Sequence, residues 1–174
     1  INCWFNQFLK YKSWMPKIKK ILVTGGAGFV GTNLINLLLK KTKFKIISID
    51  DYSSGTKNNH IRNNRVKYYR GNTKNIAEII KNPREIIAVF HFGEFARIYQ
   101  SFKKMNQCIN SNSVGTNAVF NYCLKNKIKL IYSATSASLG NKGNDKNLSP
   151  YAFTKAKNLE LLENLKKWFN FKYE

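Results

Sequence analysis

The sequence predicts an α/β fold, a doubly wound parallel sheet with helices on both faces. Two observations carry this prediction: short apolar runs alternate with longer segments of helical periodicity, and the first apolar run leads straight into a glycine-rich turn. Parallel strands joined by helices need right-handed crossovers. With 174 residues and 43% hydrophobic composition, the chain can form one domain with a buried core, and intrinsic disorder is excluded.

Five strands are expected, at residues 20–24, 44–49, 66–69, 86–92 and 129–133. The first is an apolar run that ends in glycines, which is typical of a buried parallel strand. The second ends at Asp50 and Asp51. Another strand-like segment, 171–174, stands at the end of the sequence. Because a sheet should not end on an unfinished unit, we expect an N-terminal fragment that lacks a C-terminal substrate domain.

Four helices are expected, at residues 28–41, 73–81, 106–125 and 149 to about 168. The first has apolar residues at helical spacing and closes on lysines, which suit a helix C-terminus. The second should stop before Pro83, because the position preceding proline disfavours helical backbone. Ser149 is predicted as the N-cap of the last helix, with Pro150 in its first turn.

The start of the chain follows neither pattern. Residues 1–14 contain no alternation and no apolar core of signal-peptide type, and Met15 is a candidate start. We therefore predict an N-terminal extension at 1–15, an upstream or appended segment that need not be native, and one domain at 16–174. The functional alternative for the extension is an aromatic and basic anchor to a membrane surface.

The charge favours no nucleic-acid site. The net charge is +21, but the basic residues are 25 Lys and only 5 Arg, and they are scattered along the chain. A nucleic-acid site is usually rich in Arg gathered on one face, so we interpret the charge as codon bias on a solvated surface, with weak polyanion binding as a by-product. No run is long enough to span a membrane. Three widely spaced cysteines (Cys3, Cys108 and Cys123) indicate a reduced, cytoplasmic protein.

A glycine motif follows the first strand. Residues 24–31 read T-G-G-A-G-F-V-G, with Gly25, Gly28 and Gly31 three residues apart. Such glycines allow a tight turn, close approach to a pyrophosphate and close packing of the helix on the sheet. Asp50 lies nineteen residues after Gly31, at the end of the second strand. An acidic residue there binds both ribose hydroxyls of NAD and repels the extra phosphate of NADP.

Residues 151–155 read Y-A-F-T-K, which places Tyr151 and Lys155 on one face of the last helix. A nearby cation favours phenolate and lowers the pKa of tyrosine towards the range of a general base. Thr135, just past the fifth strand, is placed to complete this site.

These motifs resemble the extended short-chain dehydrogenase/reductases, in particular the NAD-dependent epimerase/dehydratase family and its nucleotide-sugar epimerases of the UDP-glucose 4-epimerase kind. The resemblance begins at about Ile18 and runs to the end of the chain. It includes the glycine motif, D-D-Y-S-S-G at 50–55, G-N at 71–72, V-F-H-F-G at 89–93, and Asn112 before V-G-T at 114–116. It implies a Rossmann-type fold, NAD as cofactor, a nucleotide sugar (a UDP-sugar) as substrate, no metal, and a homodimer for the full-length protein.

The resemblance also implies residue roles. The cofactor would be bound by Gly25, Gly28, Phe29, Val30, Gly31, Asp50, Asp51, Asn72, Thr73, Phe92, Gly93, Asn112, Ser133, Tyr151 and Lys155. Catalysis would rest on Thr135, on Tyr151 as acid/base, and on Lys155, which would bind the nicotinamide ribose and depress the pKa of the tyrosine.

Some positions depart from the family pattern. Asn72 stands where the family usually has Asp, and its carbonyl can still bind the adenine amino group. Ser136 and Ala137 replace the Asp-Glu of the nucleotide-sugar 4,6-dehydratases, which argues against a dehydratase. Leu139 stands where the family often has an aromatic residue. Glu94 is unusual beside a cofactor, and is interpreted either as a substrate contact or as a helix-start residue.

Other candidates are expected to be structural: His91 a hydrogen-bonded core histidine, Cys108 and Cys123 core residues, and His60 a loop residue without the partners of a metal site. We therefore expect an NAD-dependent nucleotide-sugar epimerase. A reductase within the same class, or a module that binds NAD without turnover, is the alternative.

Overall fold

The computed structural model of the chain describes residues 18–136 and 148–174. In these ranges five parallel strands form one sheet in the order β3-β2-β1-β4-β5. The strands are β1 (Lys20–Thr24), β2 (Lys45–Asp50), β3 (Val66–Arg70), β4 (Ile86–His91) and β5 (Lys129–Tyr132). The predicted doubly wound parallel sheet is confirmed, and each strand begins and ends within one residue of its predicted position. The predicted extension at 1–15 lies outside the described residues.

Six α-helices connect and cover these strands within the described ranges. They are α1 (Phe29–Lys41), α2 (Ile76–Ile79), α3 (Ile98–Lys103), α4 (Met105–Ile109), α5 (Thr116–Asn126) and α6 (Pro150–Phe169). Ser149 caps α6 as predicted, its hydroxyl accepting a hydrogen bond from the backbone N–H of Ala152 at 3.0 Å. None of the helices in this part of the chain combines the length and the apolar character of a membrane span.

Alternate residues of β1 face two separate cores. Ile21 and Val23 pack with Ile35 of α1 on one face of the sheet. Leu22, between them, belongs to the larger core on the other face, which includes Phe120 of α5 and Leu162 of α6. Because both faces of the sheet are covered, the three central residues of the strand, 21–23, are all apolar.

Two predicted helices are shorter or less regular than expected. The prediction for 73–81 is wrong in part: a 3₁₀ turn, Thr73–Asn75, precedes the single turn of α2, because the Asn72 side chain accepts the backbone N–H of Lys74 and starts a tighter turn. The prediction of one regular helix at 106–125 is also wrong in part. A π-helical segment, Asn110–Gly115, lies between α4 and α5, where the buried side chain of Asn112 bonds to neighbouring elements.

One helix, α3, with six residues, was not predicted from the sequence. Within it Ser101 is buried, whereas Ile98, Tyr99 and Phe102 are exposed, so the apolar pattern does not mark a core-facing stripe. At the other end of the chain, Tyr173 forms a parallel bridge to Leu130 of β5, as expected for a strand-like segment.

The strand order reverses between β1 and β4. The chain proceeds outward from β1 through β2 to β3, then crosses to β4 and β5 on the other side of β1. The loops after the carboxyl ends of β1 and β4 therefore diverge and leave a crevice, which is the usual place of a ligand in open α/β sheets.

Candidate functional site

The loop after β1 brings the backbone of two segments unusually close. Gly25 has a φ of +71°, and a Cβ atom on it would lie 2.7 Å from the carbonyl carbon of Phe92. A Cβ atom on Gly31 would lie 2.6 Å from the Cα atom of Gly26. Gly28 is the N-cap of α1 and has no side chain to accept hydrogen bonds from the first amides of the helix. The turn thus presents backbone N–H groups at a helix N-terminus, an arrangement that suits a phosphate.

We expect Gly31→Ala to destabilise the fold by about 1–3 kcal/mol, because the new methyl group would meet backbone rather than a movable side chain. The midpoint of urea unfolding measures this effect. Gly28→Ala is the matched control in the same turn, since its Cβ would meet only the carbonyl oxygen of Gly25, at 3.3 Å. Equal midpoints for the two variants would contradict the close-packing argument.

The acidic residues at the end of β2 are tied to the turns around them. The carboxylate of Asp50 accepts the backbone N–H of Ala27 at 2.9 Å and that of Tyr52 at 2.8 Å. The carboxylate of Asp51 accepts the side-chain amide of Asn72 at 3.2 Å. These bonds link β2, the glycine loop and the segment after β3 at one edge of the crevice.

The crevice lies at the carboxyl ends of β1, β2 and β4. Eight of the predicted cofactor residues line it: Gly25, Gly28, Asp50, Asp51, Asn72, Thr73, Phe92 and Gly93. The lining combines glycine backbone with two adjacent carboxylates, which fits a dinucleotide with its pyrophosphate on the loop and a ribose on the acidic edge. Phe29 and Val30 are exposed in the first turn of α1, and Gly31 is buried there.

Asn112 lies outside that lining and is fully buried. Its side-chain carbonyl accepts the backbone N–H of Phe95 at 2.7 Å, and its amide donates to the carbonyl of Phe95 at 3.0 Å. The same amide lies 3.3 Å from the hydroxyl of Thr154 on α6. Asn112 thus fixes the loop after β4 against α6, and its contacts are with the protein.

Tyr151 and Lys155 lie one turn apart near the start of α6, as the spacing predicts. Tyr151 is half-buried, and its backbone N–H donates to the hydroxyl of Ser101 at 3.3 Å. Thr135 is half-buried three residues after the end of β5. Ala137 and Leu139, two of the positions that depart from the family pattern, lie outside the described residues.

Lys155 is buried and forms an ion pair that sequence reasoning missed. Its ammonium donates to the carboxylate of Glu94 and to the backbone carbonyl of Ser133. The side chains of the pair are 3% and 5% exposed. The ammonium also lies 4.1 Å from the centre of the Tyr132 ring. Burial lowers the pKa of Lys155, and the negative charge of Glu94 opposes that shift.

Glu94 is the centre of a wider hydrogen-bond network. One carboxylate oxygen accepts from the hydroxyl of Thr116 at 2.8 Å, the hydroxyl of Tyr132 at 3.0 Å and the amide of Asn158 at 3.3 Å. Glu94 does not start a helix, since α3 begins at Ile98. In the sequence, Glu94 could have been noticed as a charged residue in an otherwise apolar stretch after β4. Its partners could not, because they come from distant segments.

His91 links this network to the glycine loop. The hydroxyl of Thr24 accepts the backbone N–H groups of Phe92 and Gly93, so its proton is directed to His91 Nδ1, 2.6 Å away. His91 Nε2 therefore carries the ring proton and donates to Thr116 at 2.9 Å. Burial lowers the pKa of His91 to about 4, in agreement with a neutral ring. The prediction of a hydrogen-bonded core histidine is confirmed.

Comparison with known proteins shows similarity along most of the chain. The family model described as "NAD dependent epimerase/dehydratase family" matches residues 21–173. A dTDP-D-glucose 4,6-dehydratase from Dictyostelium discoideum is 35% identical over 131 residues, which cover 71% of this chain and 30% of that protein.

Solved structures share the fold. The UDP-N-acetylglucosamine 4-epimerase of Methanobrevibacter ruminantium is 26% identical, with a TM-score of 0.78 over 91% of this chain and 54% of the other. The UDP-glucose 4-epimerase of Thermotoga maritima is also 26% identical, with a TM-score of 0.78 over 88% and 53%. The UDP-glucose 4-epimerase of Brucella ovis, solved with NAD, is 21% identical and has a TM-score of 0.79 over 89% and 50%.

The chain spans about half the length of these structures and less than a third of the Dictyostelium protein. The family match, however, extends from β1 to the segment that pairs with β5. It includes the glycine loop, the acidic edge and the Tyr-x-x-x-Lys turn. The chain belongs to the NAD-dependent epimerase/dehydratase family, whose cofactor is NAD.

Proposed function

We propose that the whole protein is a nucleotide-sugar epimerase that works through a transient keto sugar, with Tyr151 as the acid/base. The observation that carries the proposal is the pair formed by Tyr151 and Lys155, one turn apart on α6, beside the loops that form the NAD cleft. The solved relatives named as UDP-sugar 4-epimerases support a UDP-sugar as the substrate.

In this proposal Tyr151 accepts the proton of a sugar hydroxyl while the hydrogen on the same carbon leaves as hydride. NAD supplies the hydride acceptor, and later the donor, when it is bound. Return of the hydride to the other face of the carbonyl carbon, with return of the proton from Tyr151, gives the inverted centre. The phenol oxygen is therefore needed for both proton transfers.

Lys155 has two roles in the proposal. Its ammonium, one helical turn from Tyr151, assists the proton transfer as a nearby positive charge. It also binds the nicotinamide ribose, and Ser133 directs it by accepting a hydrogen bond through its carbonyl. Thr135 assists Tyr151 through its hydroxyl. The pyrophosphate is held at the first amides of α1, which include those of Phe29, Val30 and Gly31.

A dehydratase is the second candidate, because the Dictyostelium relative is named a dTDP-D-glucose 4,6-dehydratase. Elimination of water needs an additional acid and base, and Ser136 and Ala137 supply neither. An epimerase needs only the proton and hydride transfers already described. The absence of these two carboxylates from the sequence therefore favours the epimerase.

NMR analysis of the products formed by the whole protein from UDP- and dTDP-hexoses with NAD⁺ distinguishes these functions. An epimerase yields the inverted hexose with no net consumption of NAD⁺. A dehydratase yields a 4-keto-6-deoxy sugar, and a reductase working in reverse yields a keto sugar while NAD⁺ is converted to NADH. A module that only binds NAD yields no product from any of these substrates, and that result would overturn the proposal.

We expect the protein to bind NAD⁺ more tightly than NADP⁺, because Asp50 lines the cleft and its negative charge repels a 2′-phosphate. Asp50→Asn keeps the shape of the side chain. It should narrow the difference in binding free energy between NAD⁺ and NADP⁺ by about 1–3 kcal/mol. Calorimetric titration with both cofactors measures it. Glu163→Gln, which removes an exposed carboxylate of α6, is the control. Equal or tighter binding of NADP⁺ by the unaltered protein would contradict this assignment.

The assembly and the compartment follow as further parts of the proposal. Ile98, Tyr99 and Phe102 of α3 are exposed and apolar, and they offer a surface for a homodimer of the whole protein. Cys108 and Cys123 are buried free thiols, as the sequence predicted for core residues. We propose the cytoplasm, a reducing compartment, as the site of action.

A further inference from the structure

The carboxylate of Glu94 has no step to perform in the proposed chemistry. That chemistry needs a cation beside Tyr151, which Lys155 supplies. Placing an anion against the same ammonium in a buried site removes two charges from water, and this costs desolvation free energy for both. Glu94 also lines the cleft, but both of its carboxylate oxygens accept hydrogen bonds from protein donors. Its role is therefore sought in what it does to Lys155.

The hydrogen bonds establish that Glu94 is an acceptor on every side. Thr116 already accepts the ring proton of His91, so its own hydroxyl proton goes to Glu94. The hydroxyl of Tyr132 accepts the amide of Asn158 at 3.0 Å and likewise donates to Glu94. With Lys155 on the other oxygen, the partners from α5, β5 and α6 all donate protons, as a carboxylate requires.

The protein also fixes the orientation of the Lys155 ammonium. An ammonium has three N–H donors, and the protein directs two of them, one to Glu94 and one to the carbonyl of Ser133. Burial of Lys155 by itself favours the neutral amine and lowers its pKa, and Glu94 is the group that raises it.

Four other titratable groups face this pair: His91 of β4, Cys108 of α4, Tyr132 of β5 and Tyr151 of α6. Burial lowers the pKa of His91 and raises the pKa values of Cys108 and Tyr132, so these three are neutral near pH 7. Tyr151 is the proposed acid/base. The charge that retains the proton on Lys155 therefore comes from Glu94.

We propose that Glu94 is a positioning residue, whose carboxylate fixes the ammonium of Lys155 and keeps it protonated, so that Lys155 meets NAD and Tyr151 as a cation. That NAD and Tyr151 are the groups that Lys155 meets rests on the proposed function. The protonation of Lys155 itself can be measured without turnover.

The first test is the pH dependence of NAD⁺ affinity, measured on the whole protein by calorimetric titration from about pH 6 to about pH 10. Glu94→Gln keeps the shape of the side chain and removes its charge, so Lys155 should lose its proton at lower pH. We expect the affinity of this variant to fall roughly tenfold across a range in which the unaltered protein changes little. Glu160→Gln is the matched control, because it breaks the exposed pair between Lys157 and Glu160 on α6.

The second test is urea unfolding without NAD, over the same pH range. In Glu94→Gln the folded-state pKa of Lys155 falls further below its unfolded value of about 10.4, so the unfolded chain binds the extra proton between the two values. Stability should therefore rise with pH more steeply in Glu94→Gln than in the unaltered protein. This slope decides the inference even where the variant folds poorly at neutral pH.

Parallel slopes in urea, together with parallel pH profiles of NAD⁺ affinity, would overturn the role of Glu94. If the unaltered protein binds no NAD⁺, the proposed function fails, and the urea slopes still decide the inference about Glu94 separately.

Discussion

Tyr151→Phe is expected to lower kcat for a nucleotide sugar by roughly 10²–10⁴-fold while leaving the Kd for NAD⁺ nearly unchanged. The substitution removes one oxygen atom, the one that moves a proton in the transition state. Most of the proposed cofactor contacts are elsewhere, on the glycine loop, on Asp50 and on Lys155, and the substitution retains the aromatic ring of Tyr151. The measurement is a rate assay of the whole protein with a UDP-hexose, paired with calorimetric titration of NAD⁺.

Two further variants are compared with Tyr151→Phe. Tyr99→Phe removes the hydroxyl of an exposed tyrosine on α3 and should keep the full rate. Thr135→Ala should lower the rate less than Tyr151→Phe, because it removes a supporting hydroxyl and leaves the base. A wild-type rate for Tyr151→Phe would show that another residue transfers the proton.

Lys155→Met is expected to lower the free energy of unfolding by about 3–5 kcal/mol, because it leaves the carboxylate of Glu94 buried without its counter-ion. The double variant Lys155→Met with Glu94→Gln removes both charges and should recover most of that loss. Urea unfolding at neutral pH is measured for the unaltered protein, the two single variants and the double variant. The coupling between the two substitutions is then obtained from the double-mutant cycle.

The exposed pair on the same helix provides the comparison. Lys157 lies 2.7 Å from Glu160, and both side chains are more than half exposed. Lys157→Met should change stability by no more than about 1 kcal/mol, since water solvates either partner alone. Additive effects of Lys155→Met and Glu94→Gln would contradict the buried pair.

Much of the fold could be predicted because its signals are local. The apolar run of β1 ends in glycines whose spacing depends on short-range geometry, and two adjacent residues, Ser149 and Pro150, mark the start of α6. The π-helical segment could not be predicted in the same way. It is stabilised by bonds from Asn112 to Phe95 and Thr154, which are 17 and 42 residues away.

The residues of the candidate site differ in the same way, in whether their signals in the sequence are local. Gly25, Asp50 and Lys155 stand in short motifs, and the structure places them around one end of the sheet. Glu94 stands in no motif, and its identity as the partner of Lys155 depends on a fold that brings together residues 61 positions apart. The sequence showed that a carboxylate there is unusual, but only the packing of α5, β5 and α6 shows what it contacts.

That separation along the chain has a consequence for synthesis. A ribosome adding about 5–20 residues per second needs roughly 3–12 s to proceed from Glu94 to Lys155. During this interval β1, β2, β3 and β4 are complete, while the carboxylate has no ammonium to bind and is better solvated by water than by an apolar core. The loop after β4 therefore closes late, when α6 arrives, and the nascent chain presents this edge of the sheet to the solvent, and to any chaperone, until then.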